Sequence, residues 1–255
     1  MRIVVCGSGT GLPSSVSSSP SVLVSVGDEN LLLDMGPGAM RQLAVLNLSY
    51  HDIDKILLTH THIDHIGDLM YFLFVSKYEA FPRRKELQVV APKRFENFLT
   101  GLTSLFGAQI VPQEYKLSIV EVEDTVLEFK GYRIIAKPTR HILPGVAFRI
   151  EENGKSFVYT GDTELTDEIV EIVKEADLLI TECSFPDELS VRGHMSPGSV
   201  AELIRRARPK KTLLVHVYPL LGQEKAVSSV RLCLKDLEEE FAVDAAYDFL
   251  RVELF

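Results

Sequence analysis

Lys55-Ile56-Leu57-Leu58-Thr59-His60-Thr61-His62-Ile63-Asp64-His65 is the stretch on which the reading of this chain turns. Its apolar start, Lys55–Thr59, predicts a strand that runs straight into four potential metal ligands within six residues. On extended backbone, residues two apart point the same way, so His60 and His62 can share one cation. The chain then turns toward a helix expected over Asp68–Tyr78, which lets Asp64 and His65 aim at a second. Imidazole mixed with carboxylate suits Zn²⁺ and accepts Mn²⁺ or Fe²⁺. The competing reading is a solvated, His-rich loop. Three of the seven histidines of the chain fall in this hexapeptide, which argues against it.

Two cations need more ligands than the hexapeptide offers, and three other strand ends supply them. His141 follows the expected strand Arg133–Lys137. Asp162 follows Phe157–Tyr159 in Thr160-Gly161-Asp162-Thr163, and His216 follows Thr212–Val215. Each alone has an ordinary explanation: a core or surface histidine, or an Asp that caps a helix. Strand ends are where side chains converge on a site in layered folds, so the set counts for more than its members.

The rest of the chain frames these positions. Arg2–Cys6, Ser21–Val26 and Leu31–Asp34 read as strands, with Gly27-Asp28-Glu29-Asn30 as a turn and Gly7–Pro20 as a loop. A helix is expected after Met35-Gly36-Pro37-Gly38, with Pro37 in its first turn. Leu87–Ala91 is a strand, and Pro92 is expected to open a helix carrying Phe95, Phe98, Leu99, Leu102 and Leu105. Leu117–Val122, Val126–Phe129 and Val146–Ile150 are further strands. After Asp162 the pattern alternates: helix Glu164–Lys174, strand Leu178–Thr181, helix Ser199–Ala207, strand Thr212–Val215, helix Lys225–Phe241 and a final strand. No linker or repeat divides the chain, so one α/β domain over residues 1–255 is expected, with two sheets at its centre and helices outside.

The order His-x-His-x-Asp-His, then His, Asp and His resembles the metal-ligand pattern of the metallo-β-lactamase superfamily. Asp34 in Leu33-Asp34-Met35-Gly36 resembles its Asp-x-Gly motif, which braces the site. The resemblance implies a four-layer αββα sandwich and a hydrolase with two divalent metal ions at one edge. It assigns His60, His62 and His141 to one ion, Asp64, His65 and His216 to the other, and Asp162 as the bridge. Two ions about 3.5–4 Å apart with a bridging hydroxide would supply nucleophile and electrophile together.

Three further segments resemble the ribonuclease Z-like and phosphodiesterase branch: Gly7-Ser8-Gly9-Thr10-Gly11-Leu12-Pro13, Thr181-Glu182-Cys183-Ser184-Phe185 and Gly193-His194-Met195-Ser196. A nucleotide-binding P-loop is the rival for the first, and it fails because no Gly-Lys-Ser/Thr follows. The resemblance makes His194 the general acid that protonates the leaving group. Glu182 either orients His194, as a catalytic partner, or is structural. Two departures stand out. Only residues 142–161 separate His141 from Asp162, and a hairpin with an Asn153-Gly154 turn uses them up. No tRNA-gripping arm fits there. His216-Val217-Tyr218-Pro219 also lacks the Ser/Thr-rich continuation of tRNA processors, and Tyr218 is a candidate pocket wall.

The leading expectation is therefore a phosphodiesterase for a small, cyclic or nucleic-acid phosphodiester, with a small molecule or short nucleotide as the expected substrate. Alternatives are a lactone, thioester or other carbonyl-ester hydrolase, a tRNA 3′-end endonuclease despite the missing arm, and a non-catalytic metal-binding scaffold. The segment Arg83-Arg84-Lys85 reads first as a solvated turn and second as a contact to substrate phosphate or another subunit. The helix over 94–107 reads as a cover for the site mouth or a homodimer surface, and His51 as a chemically idle turn residue.

Composition sets outer limits. The 255 residues carry 27 Lys+Arg against 36 Asp+Glu, a formal charge of −9, which does not suit a general nucleic-acid coat. No apolar run approaches the roughly 20 residues that cross a bilayer. Met1–Gly7 lacks the apolar core of a signal peptide. Three scattered cysteines suit a reducing cytoplasm better than a disulfide framework.

Overall fold

The computed structural model describes residues 1–78, 80–236 and 241–255. Strands β1 (Arg2–Gly7), β2 (Ser21–Val26), β3 (Glu29–Leu33), β4 (Lys55–Leu57), β5 (Leu87–Pro92) and β6 (Leu117–Val122) build a first sheet, joined by the C-terminal β14 (Arg251–Glu253). Its order is β14-β1-β2-β3-β4-β5-β6. The second sheet contains β7 (Thr125–Phe129), β8 (Tyr132–Pro138), β9 (Val146–Glu152), β10 (Lys155–Tyr159), β11 (Leu178–Glu182), β12 (Lys211–Val215) and β13 (Ala242–Ala245). Its order is β13-β12-β11-β10-β9-β8-β7. In the first sheet, pairing is antiparallel from β14 to β3 and parallel from β3 to β6. The second sheet is parallel from β13 to β10 and antiparallel from β10 to β7.

Strand periodicity assigns the layers. Leu31 and Leu33 face the other sheet, as do Phe157, Tyr159, Leu178, Ile180, Leu213 and Val215, and together they form the inner core. The alternate residues Leu32, Leu179, Leu214 and Val158 face outward. Helices α1 (Ala39–Val45), α2 (Ile63–Ile66), α3 (Leu69–Ser76) and α4 (Phe95–Phe106) connect the strands of the first sheet, and α5 (Asp167–Val173), α6 (Pro197–Ala207) and α7 (Gln223–Cys233) those of the second. The two outer cores lie between these helices and their sheets. This is the expected αββα sandwich. The turn after β2 tightens to Gly27-Asp28, because Glu29 and Asn30 already pair with Val26 and Ser25.

Three helix expectations are corrected. α1 begins after Gly38, whose φ of 101° breaks the helix before Pro37 can join it. The Asp68 carboxylate caps this start, accepting the Gly38 and Met40 N–H groups at 3.1 and 2.8 Å. Pro92 ends β5 instead of opening α4, which starts only after Arg94 takes a left-handed turn at φ 73°. α7 stops at Cys233, short of Phe241; residues 237–240 of that expected helix lie outside the described residues. Among the described residues no helix is long and apolar enough to cross a membrane.

Candidate metal centre

Five of the positions of interest follow the C-terminal ends of strands. Asp34 follows β3, His60 follows β4, His141 follows β8, Asp162 follows β10 and His216 follows β12, while Glu182 ends β11. The two sheets present these ends at one edge. There the donor atoms of His60, His62, His141 and Asp162 lie within 4.8 Å of one another, and so do those of Asp64, His65 and His216. A third grouping of Asp162, His194 and His216 overlaps both. The structure therefore brings together eight of the nine residues singled out from the sequence as ligands or catalytic groups, and the ninth, Glu182, contacts His194. Asp162 is no helix cap; that role falls to Thr166, whose side chain accepts the Ile169 N–H.

Hydrogen bonds outside the cluster fix which ring nitrogens face in. Gly193 O can only accept, so His141 Nδ1, 2.7 Å away, carries a proton. Asp34 takes His65 Nδ1 at 2.7 Å. Thr59 Oγ1 donates to Asp34 Oδ2 at 2.8 Å and so accepts from His60 Nδ1 at 3.0 Å. Ser184 Oγ donates to Glu182, the stronger acceptor, and accepts from His216 Nδ1 at 3.0 Å. Four imidazoles are thus held with Nδ1 engaged outside the cluster and Nε2 turned into it.

Those nitrogens crowd against other ring nitrogens and carboxylate oxygens. His60 Nε2 and His141 Nε2 each lie 3.0 Å from His62 Nδ1. His216 Nε2 is 3.2 Å from Asp64 Oδ2, and His65 Nε2 is 3.5 Å from Asp162 Oδ1. His65 Nε2 and Asp162 Oδ1 are buried with no hydrogen-bond partner. Several nitrogens and carboxylate oxygens crowded together, with two of them lacking any hydrogen-bond partner, suit the donor set of a bound cation, and His with Asp is a set that first-row divalent ions accept.

Electrostatics agree with this picture. Burial, reinforced by neighbouring imidazoles, holds His60 and His141 below the ordinary histidine range, and burial does the same for His62. They stay neutral, as ligands must. Burial works against ionisation of Asp162, but His216 and His65 outweigh it and keep the carboxyl well below its usual range. Asp64 is lowered in the same way, against burial, by His216 and His65. His65 is raised, again against burial, by Asp162 and Asp34, so a proton and a cation compete for its Nε2.

Beside this centre, His194 Nδ1 lies 3.1 Å from Glu182 Oε2, and Glu182 also accepts the Thr163 N–H at 2.7 Å. Burial, with Asp162 adding to it, raises Glu182. Burial opposes protonation of His194, but the Glu182 contact prevails and raises it. Phe185 and Tyr218 stack at 4.7 Å between ring centres, next to His194 and His216.

The structure overturns the solvated-turn and substrate-contact readings of Arg83. Its side chain is fully buried. Its guanidinium donates to the carbonyls of Tyr50, Ile53 and Glu86, the last two at 2.6 and 2.8 Å. A desolvated guanidinium needs such acceptors, and the turn at 50–53 together with Glu86 supplies them. Lys85 is exposed but pairs with Asp54 at 2.6 Å, and Arg84 remains at the surface. α4 turns Phe95, Phe98, Leu99 and Leu102 into the outer core of the first sheet. Sequence reasoning missed Asp68 as a cap. It also missed the contact of Gly11 with the centre, where a Cβ would stand 3.2 Å from Asp64 Oδ2.

Comparison with known proteins gives a consistent result. The β-lactamase superfamily domain matches residues 29–217. Ribonuclease Z of Archaeoglobus fulgidus is 26% identical, covering 92% of this chain and 95% of that protein. That alignment runs over 298 positions, more than the 255 residues here. Among solved structures, the metallo-β-lactamase fold protein YhfI from Bacillus subtilis superposes with a TM-score of 0.85 at 22% identity, covering 99% of both chains. The short form of human tRNase Z gives 0.80 at 21% identity over 100% of each. The chain belongs to the β-lactamase superfamily, as a metallo-β-lactamase-fold, ribonuclease Z-like hydrolase.

Proposed function

We propose that this chain is a single-domain, dinuclear phosphodiesterase acting on a small, cyclic or short nucleotide phosphodiester. His60, His62 and His141 would hold one divalent cation, Asp64, His65 and His216 the other, with Asp162 shared. Zn²⁺ fits this His-rich set best. When bound, such cations supply positive charge to the phosphoryl oxygens and lower the pKa of water. The protein's own contribution is orientation. Asp34, Thr59, Ser184 and Gly193 lock the imidazoles, and Glu182 holds His194 at 3.1 Å with its pKa raised.

The observation that carries the phosphodiester reading is this Glu182–His194 pair at the rim of the cluster. An alkoxide leaving a phosphodiester needs a proton, and a histidine held protonated by a buried carboxylate can give one. Its Nδ1 is engaged by Glu182, which leaves Nε2–H as the donor. A strained lactone has less need of it. The three cysteines are free, two of them buried, in keeping with a reducing cytoplasm as the proposed location.

A second reading is tRNA 3′-end cleavage, favoured by the ribonuclease Z names of the curated relatives. Against it, β9 and β10 pair directly from Lys155↔Glu152 to Tyr159↔Phe148, filling the interval where an arm would be inserted. Assays with bis-p-nitrophenyl phosphate, a 2′,3′-cyclic nucleotide, a homoserine lactone and a precursor tRNA separate the readings. The expected result is turnover of the phosphodiesters alone. Lactone turnover without phosphodiester turnover would overturn the proposal, and efficient precursor cleavage would transfer the function to the second reading.

A further inference from the structure

Asp248 lies at least 32 positions from any of the ligands, and its hydrogen bonds go to Ser8, Ser18 and Gln42. It sits in the turn where the chain leaves β13 of the second sheet for β14 of the first. That turn is tied to both sheets: the Ala246 N–H donates to Leu214 O at 2.8 Å, and the Phe249 N–H donates to Val5 O at 2.7 Å. Phe249 accepts a left-handed φ of 68° there, a conformation kept only where the surroundings impose it.

Four uncharged donors converge on the Asp248 carboxylate. Oδ1 accepts the Ser8 N–H and the Ser8 hydroxyl, both at 2.9 Å. Oδ2 accepts the Ser18 N–H at 2.8 Å and Gln42 Nε2 at 2.7 Å. Ser8 and Ser18 form the neck of the loop over residues 8–20, one residue shorter than expected because Gly7 ends β1, and Gly9 N–H closes this neck onto Ser18 O at 2.8 Å. Gly7 has no room for a side chain there, because a Cβ would meet Ser19 O at 1.9 Å. One carboxylate therefore clamps both sides of the loop's base.

Among the described residues, the backbone hydrogen bond and the glycine approach that link the clamped loop to the ligands both fall on the second group. Ser8 O accepts the His216 N–H at 3.1 Å, at a residue whose φ is 53°. Non-glycine residues hold this conformation only under constraint, and the bond to Ser8 is part of that constraint. Gly11, on the same loop, lies against Asp64 Oδ2. His216 and Asp64 belong to one grouping; His60, His62 and His141 receive none of these contacts.

We infer that Asp248 is a positioning residue that sets the geometry of the Asp64/His65/His216 end of the centre, acting through the base of the loop over residues 8–20. The inference rests on the proposed dinuclear site. It makes the two ends separable: loss of the clamp weakens one cation position and leaves the other intact. Loss of an outer hydrogen-bonding partner of a ligand typically costs about 10–100-fold in metal affinity.

The test is calorimetric titration of the metal-free full chain with Zn²⁺, on wild type, Asp248→Ala and Asp248→Asn. Asn keeps Oδ1 for Ser8 but places an amide where Ser18 and Gln42 donate, so it supplies the answer if the Ala variant does not fold. Wild type is expected to take two equivalents. In a folded variant, one equivalent should bind as in wild type and the other at least about tenfold more weakly. Two unchanged affinities, or equal weakening of both, would overturn the positioning role. A wild type that takes no second equivalent would instead overturn the dinuclear reading, and the inference with it.

Discussion

His65 Nε2 and Asp162 Oδ1 face each other across 3.5 Å, both buried and neither with a hydrogen-bond partner. Such a pair is costly unless a proton or a cation lies between its members. Cation binding is therefore expected to stabilise the fold. At a hundredfold excess over Kd, Zn²⁺ should add about 2.7 kcal/mol, a rise in Tm of roughly 5–10 °C. Differential scanning calorimetry of the metal-free protein with and without Zn²⁺ checks this. An unchanged Tm would argue against a metal centre here.

Asp64 reaches into the cluster from α2 with its side chain 15% exposed, so it matters more to the centre than to the core. Asp64→Ala should reduce turnover to background and remove one equivalent of metal, while changing stability by no more than about 1 kcal/mol. Metal analysis and circular dichroism on the same sample test both halves. Wild-type rates would contradict the two-cation assignment.

His194 is expected to matter in proportion to the basicity of the leaving group. His194→Ala should slow an alkyl phosphodiester by about 10²–10⁴-fold and a p-nitrophenyl ester far less. A series of leaving groups of graded pKa gives the slope. Parallel slowing across the series would remove His194 from the acid role.

Asp34 ties the two sheets to the centre. It takes the Thr59 N–H at 2.8 Å, the Tyr159 hydroxyl at 3.0 Å and His65 Nδ1 at 2.7 Å, all fully buried. Asp34→Ala strands these donors and also sits badly at φ 57°, so a loss of about 3–5 kcal/mol is expected. Asp34→Asn tolerates that φ and keeps one acceptor, so its loss should be smaller. Urea unfolding of the two variants provides the comparison; equal losses would mean that the backbone conformation and the remaining acceptor count for little.

Arg83 and Arg84 are adjacent but should behave oppositely. Arg83→Met leaves three carbonyls without their donor and should cost more than about 2 kcal/mol with kcat unchanged. Arg84→Ala should lie within about 0.5 kcal/mol of wild type. A fall in kcat/KM for Arg83→Met at full stability would restore the substrate-contact reading.

Much of the layered fold is legible because its signals are local. Leu31-Leu32-Leu33 reads as a strand buried on both faces, and the structure assigns its residues alternately to the inner and outer cores. The helix ends were harder to read. Pro92 and Pro37 both look like helix starts, but Arg94 and Gly38 take left-handed backbone beyond them, and that choice answers to packing. Arg83 misleads for a related reason. A guanidinium beside Phe81 and Lys85 looks solvated until the chain at Tyr50–Ile53 folds over it and offers carbonyls.

By itself the sequence determined the kinds of ligand, their order and their attachment to strand ends, since residue chemistry and period-two alternation are properties of short windows. Tertiary structure decided which ends meet. The order β10-β11-β12 sets Asp162, Glu182 and His216 side by side, and the facing sheet adds His60, His62, Asp64 and His65. It also decided that Asp34 and Asp248 brace the site from outside. Strand order and sheet stacking join residues as much as 240 positions apart and more, as between Ser8 and Asp248 or Met1 and Leu254. No local pattern records a pairing of that range, because it is set by the burial of whole faces and not by the residues that end up in contact.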